Sequence, residues 1–182
     1  MADRVVLHLG TARSFSPSLQ HLLWTRAASL ASAGVAVPGW APDACSLACR
    51  DLLEVDVTGS TDPAVVGSWG RLLREVRQAA GTAVLSSELF ATMDADLASW
   101  VLADLAPAEV HLVVTARDLP RELAAVTARW GERTGDLGVP AERVHGLAVR
   151  PDGEPEALWQ QFVAVLGVRP GAPHRCGGHE PR

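Results

Sequence analysis

Three short apolar runs with little alternation between polar and apolar residues constrain the fold of this chain most. They span residues 5–9, 82–86 and 109–115, and each precedes a segment with apolar residues at helical spacing. An apolar run without alternation is typical of a strand that is covered on both faces. Strands that alternate with helices predict an α/β domain, a three-layer sandwich with a mainly parallel sheet.

The rest of the chain continues this alternation. A fourth strand is predicted over residues 143–149, and residues 35–40 are predicted to be extended. The tryptophans at helical positions, Trp100 among them, are predicted to pack inward. Helices are predicted over residues 16–33, 44–53, 62–76, 93–105, 119–130 and 155–166.

The length of 182 residues favours one domain, which we place at residues 1–168. Residues 169–182 are rich in Gly, Pro and Arg and predict a flexible C-terminal tail. No apolar run is long enough to span a membrane and no signal peptide precedes the first strand, so we expect a cytoplasmic protein without a membrane partner.

Composition excludes several functions. The formal net charge of −5 argues against a nucleic-acid partner. All 16 basic residues are arginines, so chemistry that needs a lysine amine is excluded. Cys45 and Cys49 lie one helical turn apart and are predicted to be small buried residues. His174, Cys176 and His179 in the tail are too few to hold a metal, and no metal is expected.

Polar residues follow each of the three apolar runs. Residues 13–16 (RSFS), 86–88 (SSE) and 115–118 (TARD) come directly after them. In a parallel sheet, ligands bind beyond the carboxyl ends of the strands, and a helix N-terminus there favours phosphate or sulfate. Arg13 and Arg117 therefore predict a site for a small ligand with two anionic groups. An ordinary strand-to-helix turn stays open as the alternative, because the loop lacks the pattern G-x-x-x-x-G-K-[ST].

Several segments match one family pattern in order. Residues 8–20, HLGTARSFSPSLQ, align without a gap to H-x-G-x-P-K-T-G-T-T-x-L-Q. Residues 86–88 align to S-H-E and residues 113–119 to V-V-T-A-R-D-L. The chain thus resembles the sulfotransferase-like P-loop proteins that are common in actinobacteria, over most of residues 4–168.

The resemblance implies a P-loop fold and the donor 3′-phosphoadenosine 5′-phosphosulfate (PAPS) as cofactor. It places Arg13 at the position of the catalytic lysine and Ser87 at that of the histidine base, with the carboxylate of Glu88 beside it as the other candidate base. It also implies that Arg117 binds the 3′-phosphate. The residues that it assigns to the 5′-phosphosulfate are Arg13, Ser14, Phe15 and Ser16, of which Phe15 replaces the loop glycine.

Three functions follow from these residues. The first is transfer of a sulfuryl group from PAPS to a small-molecule acceptor. The second is other small-molecule biosynthetic chemistry on the same fold, of the cyclase or isomerase type. The third is a non-catalytic binding or partner protein that has lost the use of PAPS, and a homo-oligomer or a protein partner stays open. His8 and His111 lie inside apolar strands and are predicted to be core or supporting residues rather than catalysts.

Overall fold

The computed structural model describes residues 1–11, 13–53, 62–131, 138–150 and 152–168. The predicted tail at residues 169–182, with its two histidines and its cysteine, lies outside these ranges. Within them, every helix is too short or too polar to cross a membrane.

Five strands of the described ranges form one sheet in which each neighbouring pair is parallel. The strands are β1 (Arg4–Gly10), β2 (Val35–Ala36), β3 (Thr82–Ser86), β4 (Glu109–Ala116) and β5 (Val144–Ala148). Their order in the sheet is β2-β3-β1-β4-β5, so β1 is the central strand. The extended segment after the first helices supplies β2, a short edge strand that the sequence did not predict as part of the sheet.

Helices cover both faces of the sheet. They are α1 (Ser16–Thr25), α2 (Ala27–Ser32), α3 (Ala44–Leu53), α4 (Ser68–Gln78), α5 (Ala95–Leu105), α6 (Leu119–Trp130) and α7 (Pro155–Leu166), with 3₁₀ turns at Glu88–Thr92 and Ala141–Arg143. Alternate residues of β1 face opposite cores: Val5 and Leu7 pack with α3 to α6, whereas Val6 packs with α1, α2 and α7. This two-sided burial explains why the strands lack polar alternation, and it confirms the predicted three-layer α/β architecture.

The predicted first helix is two helices, broken at Arg26. Arg26 leaves helical geometry at φ −104° and ψ 10°. The Thr25 hydroxyl donates back to the carbonyl of His21 at 2.9 Å, and such bonds bend helices. The prediction of one helix over residues 16–33 was therefore wrong at this position.

The start of α4 was also predicted too early. Asp62 accepts a hydrogen bond from the Ala64 N–H at 2.9 Å, which makes a local turn instead of a helix start. The helix begins after Gly67, at φ 74°, and its first N–H groups are capped by Asp51 of α3, which accepts from Gly67 N at 3.2 Å and Trp69 N at 3.0 Å. A cap supplied by another helix leaves no local sequence signal.

The inward placement of Trp100 was wrong. This side chain is 52% exposed, whereas Ala98, Val101, Leu102 and Leu105 form the buried stripe of α5. Those four residues follow the spacing i, i+3, i+4, i+7, and position 100 falls outside it.

Candidate functional site

The loop after β1 and the residues after β4 meet at the carboxyl edge of the sheet. Gly10 lies opposite Thr115 in the β1–β4 register. The backbone N–H and the hydroxyl of Thr11 both donate to the Thr115 carbonyl at 3.1 Å. Arg117 Nε donates to the carbonyl oxygen of Arg13 at 3.0 Å. The two predicted ligand-binding arginines therefore lie on neighbouring turns in direct contact.

The residues after β3 join the same edge through Gly10. A Cβ on Gly10 would overlap the Ser16 hydroxyl oxygen and lie 2.5 Å from Ser16 Cβ and 3.4 Å from Glu88 Cγ. The Ser87 N–H extends the pairing of the strands by donating to the His8 carbonyl at 3.2 Å. Only a residue without a side chain lets α1 and the turn after β3 approach the end of β1 this closely.

A chain of polar side chains, of which Ser86 is half-buried and the others are buried, runs beneath the loop. Ser86 Oγ lies 2.7 Å from His8 Nδ1, and His8 Nε2 lies 2.9 Å from Thr115 Oγ1. The Thr115 hydroxyl donates to Ser14 Oγ at 3.1 Å, and Ser14 Oγ lies 2.7 Å from Ser16 Oγ. The hydroxyls of Ser14 and Ser16, predicted to bind an anion, thus point into the protein, with exposures of 1% and 0%.

His8 is neutral in this network. The residue is fully buried, and its ring packs edge-on to Phe162 with 5.5 Å between ring centroids. Burial disfavours the imidazolium and lowers the pKa of His8 to about 3. This placement agrees with the expectation that His8 is a core or supporting residue. His111 is half-buried and lies further from the carboxyl edge, and its Nε2 is 2.6 Å from Glu109 Oε1.

Ser87, at the position of the family's histidine base, has a structural contact. It is 1% exposed, and its hydroxyl accepts a hydrogen bond from the Leu89 N–H at 3.2 Å, which caps the 3₁₀ turn. Ser46 Oγ lies 3.5 Å from Ser87 Oγ. The buried Cys49 also contacts Ser87. Burial raises the pKa of the Cys49 thiol, so the thiol stays in its protonated, unreactive form.

The loop backbone is held in an uncommon conformation at two positions. Arg13 has φ 62° and Phe15 has φ 57°, values that non-glycine residues seldom adopt. Each such residue costs about 1–2 kcal/mol, and contacts around the loop must offset that cost. The Phe15 side chain contributes to the core on the α7 face and lines a cleft of about 320 Å³ with Val149 and Leu158.

Three predicted site residues are free to meet a ligand. The side chains of Arg13, Glu88 and Arg117 are exposed at the edge. Phe15, the residue at the N-cap of α1, makes no side-chain cap among the residues that the structure describes, and its carbonyl accepts from the Leu19 N–H at 3.0 Å in the opening turn. The edge therefore offers two cations, one carboxylate and the positive end of a helix dipole.

The sequence did not predict that Ser86 and Thr115 form hydrogen bonds with His8. Polar residues near the ends of three apolar strands were a usable signal, but their contact depends on β1 lying between β3 and β4. Among the described residues, no group of three or more His, Cys, Asp or Glu side chains is placed to hold a metal ion.

No protein-family model matches the chain, and no curated protein matches it. Among solved structures, the chain is similar to an unliganded sugar kinase from Janibacter sp. HTCC2649, with 12% sequence identity and a TM-score of 0.40. The match covers 93% of this chain and 97% of that one. A likeness this weak assigns neither family nor activity, so the function is argued from the geometry of the site.

Proposed function

We propose that the carboxyl edge binds PAPS or a closely related nucleotide with two anionic groups, and that the chain transfers the sulfuryl group to a small-molecule acceptor. The observation that carries the proposal is the 3.0 Å hydrogen bond from Arg117 Nε to the Arg13 carbonyl. It holds two exposed arginines on adjacent turns, beside the N-terminus of α1. A ligand with separated anionic groups matches that arrangement better than a single anion does.

The charges supply enough affinity for such a ligand. A charge-assisted hydrogen bond from arginine to phosphate or sulfate contributes about 1.5–3 kcal/mol. The bond from Arg117 to the Arg13 carbonyl uses Nε, so the terminal nitrogens of Arg117 stay available for a second group. In this proposal Arg13 contacts the phosphosulfate and Arg117 the 3′-phosphate.

In the transfer step, the S–O bond to the bridging oxygen of PAPS breaks while a new bond forms from sulfur to the acceptor oxygen or nitrogen. Arg13 offsets the charge that develops on the bridging oxygen but keeps its own proton. Glu88, exposed beside Gly10, accepts the proton that the acceptor loses. Ser87 takes no part as a base, because its hydroxyl is buried as a cap.

A second candidate is a binding protein that does not transfer the sulfuryl group. The burial of Ser14 and Ser16 favours it, because their hydroxyls bond within the protein instead of facing the ligand. Losing a positioned general base costs about 10²–10⁴-fold in rate, so binding survives such losses better than catalysis does. Recruitment of the same edge to cyclase or isomerase chemistry would use the same arginines.

Calorimetry with 3′-phosphoadenosine 5′-phosphate tests the nucleotide site. We expect Arg117→Ala and Arg13→Ala each to weaken binding by about 10- to 150-fold, the equivalent of one charge-assisted bond. Arg77→Ala is the matched control, because Arg77 is exposed in the last turn of α4, which leads to the opposite edge of the sheet. Absence of binding by the unaltered chain refutes the proposal.

The two candidates differ in turnover. Formation of 3′-phosphoadenosine 5′-phosphate from PAPS in the presence of a mixture of small alcohols and amines, lost in Glu88→Gln with binding retained, supports transfer. Nucleotide binding without any turnover supports the binding protein instead.

A further inference from the structure

Ser14 lies in the loop after β1, between two residues with uncommon backbone angles. Arg13 has φ 62° and Phe15 has φ 57°, in the left-handed region that residues with a side chain disfavour. A loop with two such residues keeps this conformation only if the surrounding structure holds it there. Arg13 is exposed, whereas the Ser14 side chain is buried. Contacts of Ser14 with the interior can therefore hold the backbone on either side of it.

Three hydrogen bonds hold Ser14. Its N–H donates to the Thr11 carbonyl at 3.2 Å. Its hydroxyl oxygen accepts from the Thr115 hydroxyl at 3.1 Å and lies 2.7 Å from Ser16 Oγ. Thr11 and Ser16 belong to the same loop and to the helix that follows it, whereas Thr115 belongs to β4. The bond from Thr115 is therefore the one of the three that ties this part of the loop to a neighbouring strand.

His8 fixes the direction of the bond between Thr115 and Ser14. Thr115 has one hydroxyl hydrogen and donates it to Ser14, so its oxygen accepts the hydrogen of His8 Nε2, 2.9 Å away. The other ring nitrogen, Nδ1, accepts from the Ser86 hydroxyl at 2.7 Å. Burial keeps the ring neutral, because it lowers the pKa of His8 to about 3. Since the ring presents a hydrogen to Thr115, the Thr115 hydroxyl has to turn its own hydrogen towards Ser14.

We propose that Thr115 is a positioning residue, whose hydrogen bond to Ser14 fixes the loop conformation that presents Arg13. His8 orients Thr115 for this bond. Thr115 is itself fully buried, so it acts through the loop and not by touching a ligand. Without this bond the loop relaxes from its left-handed angles, and the spacing between the Arg13 and Arg117 guanidinium groups is no longer fixed. The inference deepens the proposed function and rests on it for the identity of the ligand.

Calorimetry with 3′-phosphoadenosine 5′-phosphate compares Thr115→Val, which keeps the shape of threonine without its hydroxyl, with Thr115→Ser, which keeps the hydroxyl. We expect Thr115→Val to weaken binding about two- to tenfold, because one neutral hydrogen bond changes the population of the binding conformation by about that factor. Thr115→Ser retains the affinity. Thr82→Val is the matched control and leaves the affinity unchanged, because Thr82 is a half-buried strand residue at the opposite edge of the sheet.

Two further variants separate positioning from a general loss of structure. In the Arg13→Ala background, Thr115→Val should cause no further loss of affinity, because no guanidinium is left to position. A general loss of structure would lower the affinity by the same factor in both backgrounds and would refute the inference. Ser14→Ala removes the acceptor of the same hydrogen bond and should weaken binding about as much as Thr115→Val, so the test remains possible if the valine variant does not fold.

Amide hydrogen exchange of the full chain without nucleotide measures the loop directly. Exchange of the Ser14 N–H, relative to that of the Leu7 N–H in the central strand, should be about two- to tenfold faster in Thr115→Val and unchanged in Thr115→Ser. Equal relative exchange in Thr115→Val and the unaltered chain refutes the inference.

The two measurements distinguish failure of the inference from failure of the proposed function. If the unaltered chain binds the nucleotide and Thr115→Val binds it equally well, the inference fails and the nucleotide site stands. If the unaltered chain binds no nucleotide, the proposed function fails, and the exchange of the Ser14 N–H decides whether Thr115 holds the loop.

Discussion

Gly10→Ala tests whether the end of β1 and the start of α1 are packed as tightly as the structure places them. The added Cβ would overlap the Ser16 hydroxyl and lie 2.5 Å from Ser16 Cβ. Ser16 is fully buried and its hydroxyl is bonded to Ser14, so it has no free space into which to move. The substitution therefore forces α1 away from the sheet or breaks the buried hydrogen-bond chain.

The expected cost has two parts. Overpacking a closed site costs about 1–3 kcal/mol, and a displaced Ser16 loses a hydrogen bond of about 1 kcal/mol. We expect the free energy of unfolding to fall by about 2–4 kcal/mol in urea titrations. For a chain of this size, that corresponds to a Tm lower by roughly 4–16 °C.

Gly70→Ala is the control with the opposite sign. Gly70 is exposed within α4, and the atom closest to an added Cβ is Arg74 Nη1 at 4.0 Å. Alanine there should raise the free energy of unfolding by about 0.5–1 kcal/mol through helix propensity. If Gly10→Ala unfolds at the same urea concentration as the unaltered chain while Gly70→Ala is stabilised, the close approach of α1 to β1 is wrong.

Two further predictions concern stability. Burial lowers the folded-state pKa of His8 to about 3, whereas an unfolded histidine titrates near 6.5. Between these two pH values the unfolded chain therefore binds one more proton than the folded chain. The stability that comes from the neutral, buried His8 is complete above pH 6.5 and falls by about 1.4 kcal/mol per pH unit as the pH decreases towards 3. Urea titrations at pH 7, 6, 5 and 4 measure this slope, and a slope in His8→Asn equal to that of the unaltered chain contradicts the assignment. Asp94 caps α5 by accepting from the Leu97 N–H at 2.9 Å, so Asp94→Ala should cost about 1 kcal/mol and Asp94→Asn much less. Equal unfolding midpoints for the alanine and asparagine variants would show that the cap contributes nothing.

Local pattern was sufficient for most elements. Helix α6 begins and ends where the spacing predicts, at Leu119 and Trp130, and α7 spans the predicted Pro155–Leu166. Cys45 and Cys49 are buried in α3, as small residues one turn apart on an apolar face predict. These features depend on residues within a few positions of one another, so the sequence carries their signal directly.

The candidate site depends on strand order, and strand order is a long-range property. The sequence placed Arg13, Glu88 and Arg117 at the ends of three strands, and their roles with a ligand stay predictions. Polar residues near the strand ends were a signal, but the contacts of Ser86 and Thr115 with the two nitrogens of His8 depend on β1 lying between β3 and β4.

The two errors in helix bounds have different causes. The break at Arg26 comes from a local side-chain bond that apolar spacing does not show, whereas the late start of α4 comes from a cap by Asp51 of another helix. Periodicity along the chain fixes which residues are apolar and at what spacing, and this determined the three layers. Contacts between residues distant in sequence decide which strands are neighbours, because packing on the two faces of the sheet selects one strand order. That strand order places His8 between Ser86 and Thr115, at the centre of a polar network.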